Sequence, residues 1–329
     1  MPVTAFTMPP RPRNAAGEER RVGFELELAG LHLPDVAAVV RDLFGGRVVQ
    51  EESFGYRVEG TTLGDFQVAA DAQVLHDQKY LQPLEKLGVP TERPQVERPV
   101  EKVVEWVAEL VVPFEVTMPP LPLGRLAAAD TLRAGLAARG ARGTTARLRY
   151  AFGLHVNAEA PDTDRITVLR HLQAFLALYE PLREASRVDL ARSLSPYIDP
   201  FPDAYRELVL APDYDPPLER LAADYLAHNP TRNRPLDLLP LLVHRLGDDL
   251  LAELPGKQQV RARPAFHYRL PNCRIDEPEW TVAEEWNRWV EVERLADRPD
   301  ELAAVAAEVR AGSPGGAAGL WERLKARVR

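Results

Sequence analysis

An alternating stretch in the middle of the chain constrains the fold more than any other part of the sequence. From residue 148 to residue 159 every even position is apolar, and the odd positions include Arg149, His155, Asn157 and Glu159. A period of two residues is typical of a β-strand with one buried face. The opposite face carries a cation, an imidazole, an amide and a carboxylate in line, which favours a polar site on a sheet over an ordinary solvated strand.

Four further stretches repeat this alternation and predict strands over 21–28, 66–71, 110–117 and 261–270. Their predicted polar faces carry acidic, basic and imidazole side chains, namely Glu25, Glu27, Asp71, Glu115, Arg263, His267 and Arg269. A sheet that buries the apolar face of every strand brings the polar faces together on its other side. We therefore expect these side chains to share one surface with His155.

Helical periodicity between the strands predicts an α+β protein. Apolar residues at helical spacing indicate helices over 34–44, 124–139, 164–182, 218–228, 236–253, 281–296 and 300–311. Proline-rich stretches at 81–100 and 193–217 predict long loops, which are candidates for a lid over the site. We expect a flexible arm over residues 1–20, one catalytic domain over 21–296, and C-terminal helices over 297–329 that pack on that domain.

The charge balance and the cysteine count argue against several classes of protein. The 329 residues include 41 basic and 49 acidic ones, a net charge of −8, which argues against a nucleic-acid-binding protein. The single cysteine, Cys273, excludes an internal disulfide and favours a reducing compartment. No apolar run approaches the ~20 residues that span a bilayer. We expect a cytoplasmic protein that binds neither nucleic acid nor membrane.

The predicted polar surface combines side chains that suit metal ions with side chains that suit phosphate. Carboxylates that lie close together repel each other, and a divalent cation such as Mg²⁺ or Mn²⁺ relieves that repulsion. Arginines such as Arg149, Arg263 and Arg269 bind phosphate or carboxylate through paired hydrogen bonds. Enzymes that transfer phosphoryl groups combine metal ions with arginines to neutralise the phosphoryl oxygens. Taken singly, each motif also fits an ordinary solvated strand, so the prediction depends on their joint occurrence.

Four short motifs resemble those of one family of enzymes. They are Gly23-Phe-Glu-Leu-Glu27, Gly64-Asp-Phe-Gln-Val-Ala-Ala-Asp71, Phe114-Glu-Val-Thr-Met-Pro-Pro-Leu121 and Gly153-Leu-His-Val-Asn157, in that order. The chain thereby resembles the carboxylate–amine ligases of the glutamine synthetase and glutamate–cysteine ligase superfamily, and more closely the bacterial amidoligases. The resemblance implies a glutamine-synthetase-like fold, with a curved, largely antiparallel sheet and helices on its outer face.

The resemblance also implies roles for individual residues. By motif it implies five metal ligands, which are Glu25, Glu27, Asp71, Glu115 and His155. Asn157 and Arg269 would contact phosphate or substrate, and Arg269 with His267 would form the catalytic pair. One position departs from the family, in which the late strand commonly reads Glu-Phe-Arg, whereas this chain has His267-Tyr268-Arg269. A histidine can still bind metal, but one negative charge is lost.

The activity that the resemblance implies is ATP-dependent formation of an amide bond through an acyl phosphate. The cofactors are then ATP and Mg²⁺ or Mn²⁺, with the nucleotide bound by Asn157, Arg149, Arg263 and Arg269. The substrates are a small-molecule or peptide carboxylate and an amine, which the sequence does not identify; it does not give the oligomeric state either. A glutamine amidotransferase as partner enzyme would indicate ammonia as the amine, and a cyclotransferase would indicate γ-glutamyl chemistry.

Two other functions fit the same residues. A guanidino-type phosphotransferase on the same fold would give a stable phosphorylated product without any amine. A non-catalytic homologue, suggested by the exchange at His267, would bind nucleotide or metal without turnover.

Overall fold

A single antiparallel sheet forms the centre of the molecule. The computed structural model describes residues 4–51, 55–70, 114–144, 152–188, 199–253 and 260–312, together with residue 319. Within these residues the strands are β1 (Arg21–Leu28), β2 (Arg47–Glu51), β3 (Gly55–Thr61), β4 (Gly64–Ala70), β5 (Phe114–Thr117), β6 (Leu121–Pro122), β7 (Leu154–Glu159), β8 (Leu236–Asp237) and β9 (Ala265–Tyr268). Their order is β2-β3-β4-β5-β1-β7-β9-β8, and β6 pairs with β1 next to β5. The predicted α+β class with an antiparallel sheet is confirmed.

Nine α-helices accompany the sheet in the part of the chain that the structure describes. They are α1 (Leu33–Phe44), α2 (Ala127–Ala138), α3 (Arg165–Ala177), α4 (Tyr179–Ala185), α5 (Asp203–Val209), α6 (Leu218–His228), α7 (Leu239–Leu246), α8 (Val282–Ala296) and α9 (Pro299–Arg310). Short 3₁₀ turns lie at Leu123–Arg125 and Asp248–Glu253. None of the described helices combines the length and the apolar composition that crossing a bilayer requires.

The helices cover the apolar face of the sheet. Phe44 of α1 stacks on Phe66 of β4, with 5.4 Å between the ring centroids. Trp289 of α8 lies 5.4 Å from the ring of Phe266 and 5.5 Å from that of Tyr268 on β9. Because the side chains of a strand alternate between faces, burial of these aromatic residues turns their sequence neighbours to the opposite, polar face.

Three predicted elements differ from the structure. The helix predicted over 164–182 is two helices, α3 and α4, which meet at Leu178. The loop predicted over 193–217 contains helix α5, which buries Tyr205. The helix predicted over 236–253 begins as strand β8, because its first residues pair with β9 at the edge of the sheet. The other predicted loop, 81–100, lies outside the described residues.

The segment before β1 lies against helix α8. Arg20 forms two hydrogen bonds with the carboxylate of Glu293, at 2.6 and 2.8 Å, and both side chains are almost completely buried. Nearer the start of the helix, the indole of Trp286 donates a hydrogen bond of 2.8 Å to the backbone oxygen of Thr7. These contacts connect residues 4–20, where the sequence predicts a flexible arm, to the helical layer.

Candidate functional site

The strand register aligns the polar side chains in rows across the polar face of the sheet. β1 pairs with β5 on one side and with β7 on the other, and β7 pairs in turn with β9 and β9 with β8. Three rows result, which contain Thr117–Glu25–His155, Glu115–Glu27 and Gly23–Asn157–His267–Asp237. Residues of adjacent rows are two positions apart on a strand, so their side chains lie within reach of one another.

Glu25 is the centre of the first group of site residues. Its Oε2 lies 2.8 Å from Nδ1 of His155, and its Oε1 accepts a hydrogen bond of 2.8 Å from Nδ2 of Asn157. Nε2 of His267 lies 3.6 Å from Oε2, and the guanidinium of Arg263 lies 3.8 Å from Oε1. The carboxylate is therefore surrounded by nitrogen atoms.

A second group lies one row away and shares His155 with the first. Nε2 of His155 is 3.3 Å from Oε1 of Glu27, whose other oxygen accepts a hydrogen bond of 2.5 Å from the backbone nitrogen of Gly153. Glu115, opposite Glu27 in the register, accepts a hydrogen bond of 2.7 Å from the hydroxyl of Thr117. Backbone and side-chain donors thus orient both carboxylates toward the imidazole.

Two sets of side chains could hold a metal ion. They are Glu25 with His155 and His267, and Glu27 with Glu115 and His155; within each set the ligand atoms lie within 4.8 Å of one another. Mg²⁺ and Mn²⁺ favour oxygen ligands, and imidazole nitrogen suits Mn²⁺ and heavier ions better than Mg²⁺. Since a neutral imidazole offers one lone pair, His155 completes one set at a time.

The charge states of the buried groups suit cation binding. Burial would raise the pKa of Glu25, but the hydrogen bond with His155 and the nearby His267 bring that pKa well below its ordinary value. Burial lowers the pKa of His155, against the opposing effect of Glu27 and Glu25. Near neutral pH the site therefore combines an ionised carboxylate with a neutral imidazole, which are the protonation states that bind metal ions.

Asp237 is a site residue that the sequence did not predict. It is completely buried, and its Oδ2 lies 3.5 Å from Nδ1 of His267 and 3.2 Å from Nε of Arg232. Burial would raise the pKa of Asp237, but His267 and the nearby arginines lower it below the ordinary value. One local signal could have indicated it, because an aspartate is typical of the position just before a helix. Oδ1 of Asp237 accepts a hydrogen bond of 3.0 Å from the backbone nitrogen of Leu239, the first residue of α7.

The remaining predicted residues have different positions. Arg263 reaches the edge of the Glu25 group, as described above. Arg269 follows β9 and donates to the backbone oxygen of Arg232 at 2.5 Å. Asp71 and Arg149, predicted to bind metal and nucleotide, lie outside the described residues.

A cleft of about 640 Å³ opens beside the Glu25 group. Glu25 and Asn157 belong to its wall as well as to the row of site residues. Its lining also includes four arginines, which are Arg21, Arg57, Arg261 and Arg263. Among its acids, Glu159 is engaged by the side chain of Asn14 and by the backbone nitrogen of Arg21, both at 2.8 Å. The arginines make this cleft suited to an anionic ligand.

The comparison with known proteins agrees with the motifs. No curated protein and no solved structure matches the chain. Residues 18–291 match the family described as "Putative amidoligase enzyme". The match begins just before β1 and ends within α8, so it includes both sets of candidate metal ligands and the residues that line the cleft. The chain belongs to the amidoligase family.

Proposed function

We propose that the protein is a metal-dependent ligase that uses ATP to join a carboxylate to an amine through an acyl phosphate. The observation that carries the proposal is the presence of two candidate metal-ligand sets, one of which contributes Glu25 to the wall of an arginine-lined cleft, in a chain of the amidoligase family. A divalent cation, when bound, neutralises phosphoryl oxygens and so favours phosphoryl transfer.

The tautomer of His155 supports a cation in the set that contains Glu27 and Glu115. Because the carboxylate of Glu25 is ionised, the nitrogen 2.8 Å from it, Nδ1, donates the hydrogen bond. Nε2 of the neutral ring then directs its lone pair toward Oε1 of Glu27, 3.3 Å away. Two electron-rich atoms at this distance repel each other, and a cation bound by both removes the repulsion.

Neighbouring groups hold the proposed ligands in place. The amide of Asn157 orients Glu25, the backbone of Gly153 orients Glu27, and the hydroxyl of Thr117 orients Glu115. Such contacts reduce the reorganisation that metal binding and catalysis would otherwise require. The side-chain oxygen of Asn157 is buried and has no hydrogen-bond partner among the described residues, so it can accept one from a ligand in the cleft.

The cleft suits the polyphosphate or the acid substrate. Its volume of about 640 Å³ lies within the range of small-molecule sites, roughly 300–1,000 Å³. Arg263 lies on the boundary, since it lines the cleft and reaches within 3.8 Å of Glu25. It would therefore bind an anionic group next to the metal ions and bring the reacting atoms together.

The test is phosphate release from ATP by the purified protein with Mg²⁺ or Mn²⁺. Pools of carboxylic acids, amino acids and peptides would be added with and without amines. We expect phosphate release that requires both an acid and an amine, because an amine must displace phosphate from the acyl phosphate. Release without any amine would favour a phosphotransferase. Binding of ATP without release under any mixture would favour a non-catalytic homologue.

Glu27→Gln tests the assigned site. The amide keeps an oxygen that can accept the hydrogen bond from Gly153, so we expect the fold to persist while phosphate release falls by about 100-fold or more. Glu59→Gln is the matched control, because Glu59 lies on strand β3, away from the candidate ligands, and forms an exposed ion pair with Arg47. Equal activity of the two variants would contradict the assignment.

A further inference from the structure

We propose that Asp237 positions His267, and that the pair makes the metal position at Glu25 selective for Mn²⁺ and heavier divalent ions over Mg²⁺. This inference rests on the metal site of the proposed function and assigns that site its cation. Asp237 contacts the histidine and not the metal, so it is a positioning residue.

His267 lies between two carboxylates, and with Glu25 and His155 it forms one of the sets that could hold an ion. It is 4% exposed, with Nε2 3.6 Å from Glu25 and Nδ1 3.5 Å from Asp237. Neither ring nitrogen has a hydrogen-bond partner among the described residues. Burial of an imidazole without hydrogen-bond partners costs free energy unless a ligand binds its nitrogen atoms. The orphaned nitrogen that faces Glu25 is therefore directed into the candidate metal position.

The sheet and a helix fix Asp237 behind His267. The two residues are opposite each other in the pairing of β8 with β9. The backbone nitrogen of Leu239, at the start of α7, binds one oxygen of the carboxylate, and Arg232 binds the other. When an ion at Glu25 takes the lone pair of Nε2, the proton of the ring lies on Nδ1, where the ionised carboxylate of Asp237, 3.5 Å away, stabilises it.

The ligand types determine which ion this position prefers. Mg²⁺ favours oxygen ligands in a strict octahedral arrangement and rarely accepts imidazole, whereas Mn²⁺, Co²⁺ and Zn²⁺ accept it readily. Because His155 directs its lone pair toward Glu27, the position at Glu25 offers the imidazole of His267 and a single carboxylate, Glu25. The set at Glu27 and Glu115 contains two carboxylates and one imidazole, so it does not discriminate against Mg²⁺ in the same way. The two positions of one site thus differ in chemistry.

The charge of Asp237 supplies part of the negative charge that a neutral imidazole ligand does not bring to the ion. A carboxylate in the place of His267 would bring a negative charge directly to the ion. A buried carboxylate behind the ring makes the imidazole a stronger donor and returns negative charge at a greater distance. Arg232 offsets part of that charge, since its Nε lies 3.2 Å from Asp237.

The experiment is calorimetric titration of the metal-free protein with Mg²⁺, Mn²⁺ and Zn²⁺, without nucleotide or substrate. For the unaltered protein we expect Mn²⁺ and Zn²⁺ to bind at least about tenfold more tightly than Mg²⁺. Equal affinities for the three ions, or no binding of any ion, would overturn the inference from the unaltered protein alone. Because no turnover is measured, failure of ligase activity leaves this result unaffected.

Two variants separate the roles of the pair. His267→Glu should shift the preference toward Mg²⁺, since it restores an oxygen ligand. Asp237→Asn should weaken Mn²⁺ binding by about 10–100-fold, because the amide no longer fixes the tautomer. Asp224→Asn is the matched control, since Asp224 is also a buried aspartate but pairs with Tyr214 and Arg220. Unchanged selectivity in His267→Glu, or unchanged Mn²⁺ affinity in a folded Asp237→Asn protein, would refute the respective role.

Discussion

His171 shows how strongly burial in the helical layer perturbs a single residue. Its ring stacks on that of Phe266 at 4.7 Å, and Nδ1 lies 2.7 Å from the backbone oxygen of Thr167. Burial lowers the pKa of His171 from 6.5 to about 4. Between these two values the unfolded chain binds a proton at this residue and the folded chain does not, so stability falls as the pH decreases.

His171→Phe should remove this contribution while keeping an aromatic ring on Phe266. From the two pKa values, the unaltered protein loses about 2 kcal/mol of unfolding free energy between pH 7 and pH 5 at this residue. Over the same pH interval we expect the loss of unfolding free energy to be smaller in the variant than in the unaltered protein by about that amount. Urea unfolding at both pH values measures the difference, and parallel pH dependence of the two proteins would contradict the assigned pKa.

At the scale of elements, the local sequence pattern predicted those that are long enough to show a period or that carry a capping residue. Strand β1 alternates over its whole length, and helix α8 begins at a capping threonine, where Thr281 accepts a hydrogen bond of 3.2 Å from Glu284. Strand β8 was missed because two residues carry no period, and its pairing with β9 depends on a contact about thirty positions away. Asp237 was missed with it, whereas Glu25 and His155 lie on long alternating strands.

A buried ion pair contributes to the contact between the segment before β1 and helix α8. Arg20 and Glu293 are 1% and 0% exposed, and Trp289 donates a further hydrogen bond of 2.7 Å to the same carboxylate. Arg20→Met should cost about 3–5 kcal/mol of unfolding free energy, because the carboxylate of Glu293 is left buried without its counter-charge. Urea denaturation measures the loss.

The double variant Arg20→Met with Glu293→Gln separates charge from packing. The glutamine is neutral and keeps an oxygen for the indole of Trp289, so most of the lost stability should return. A double variant as unstable as Arg20→Met would show that packing of the arginine, rather than the unpaired charge, holds the segment.

At the scale of the whole molecule, the proposed metal site connects strands that are far apart in sequence. Its candidate ligands come from β1, β5, β7 and β9, between residues 25 and 267. An ion that binds only the folded chain stabilises it by about 2.7 kcal/mol at one hundred times its Kd. We therefore expect Mn²⁺ to raise the Tm by several degrees and EDTA to reverse the rise.

Tryptophan fluorescence can show whether this stabilisation extends through the sheet to the helices. Trp280, Trp286 and Trp289 are buried in the helical layer, and Trp289 contacts Tyr268, the sequence neighbour of His267. Since strand β9 carries His267 on one face and packs against Trp289 on the other, Mn²⁺ should shift the fluorescence-detected transition as much as the one followed by circular dichroism. Glu27→Gln should reduce both shifts equally. A fluorescence transition that does not respond to Mn²⁺ would mean that the helical layer unfolds independently of the site.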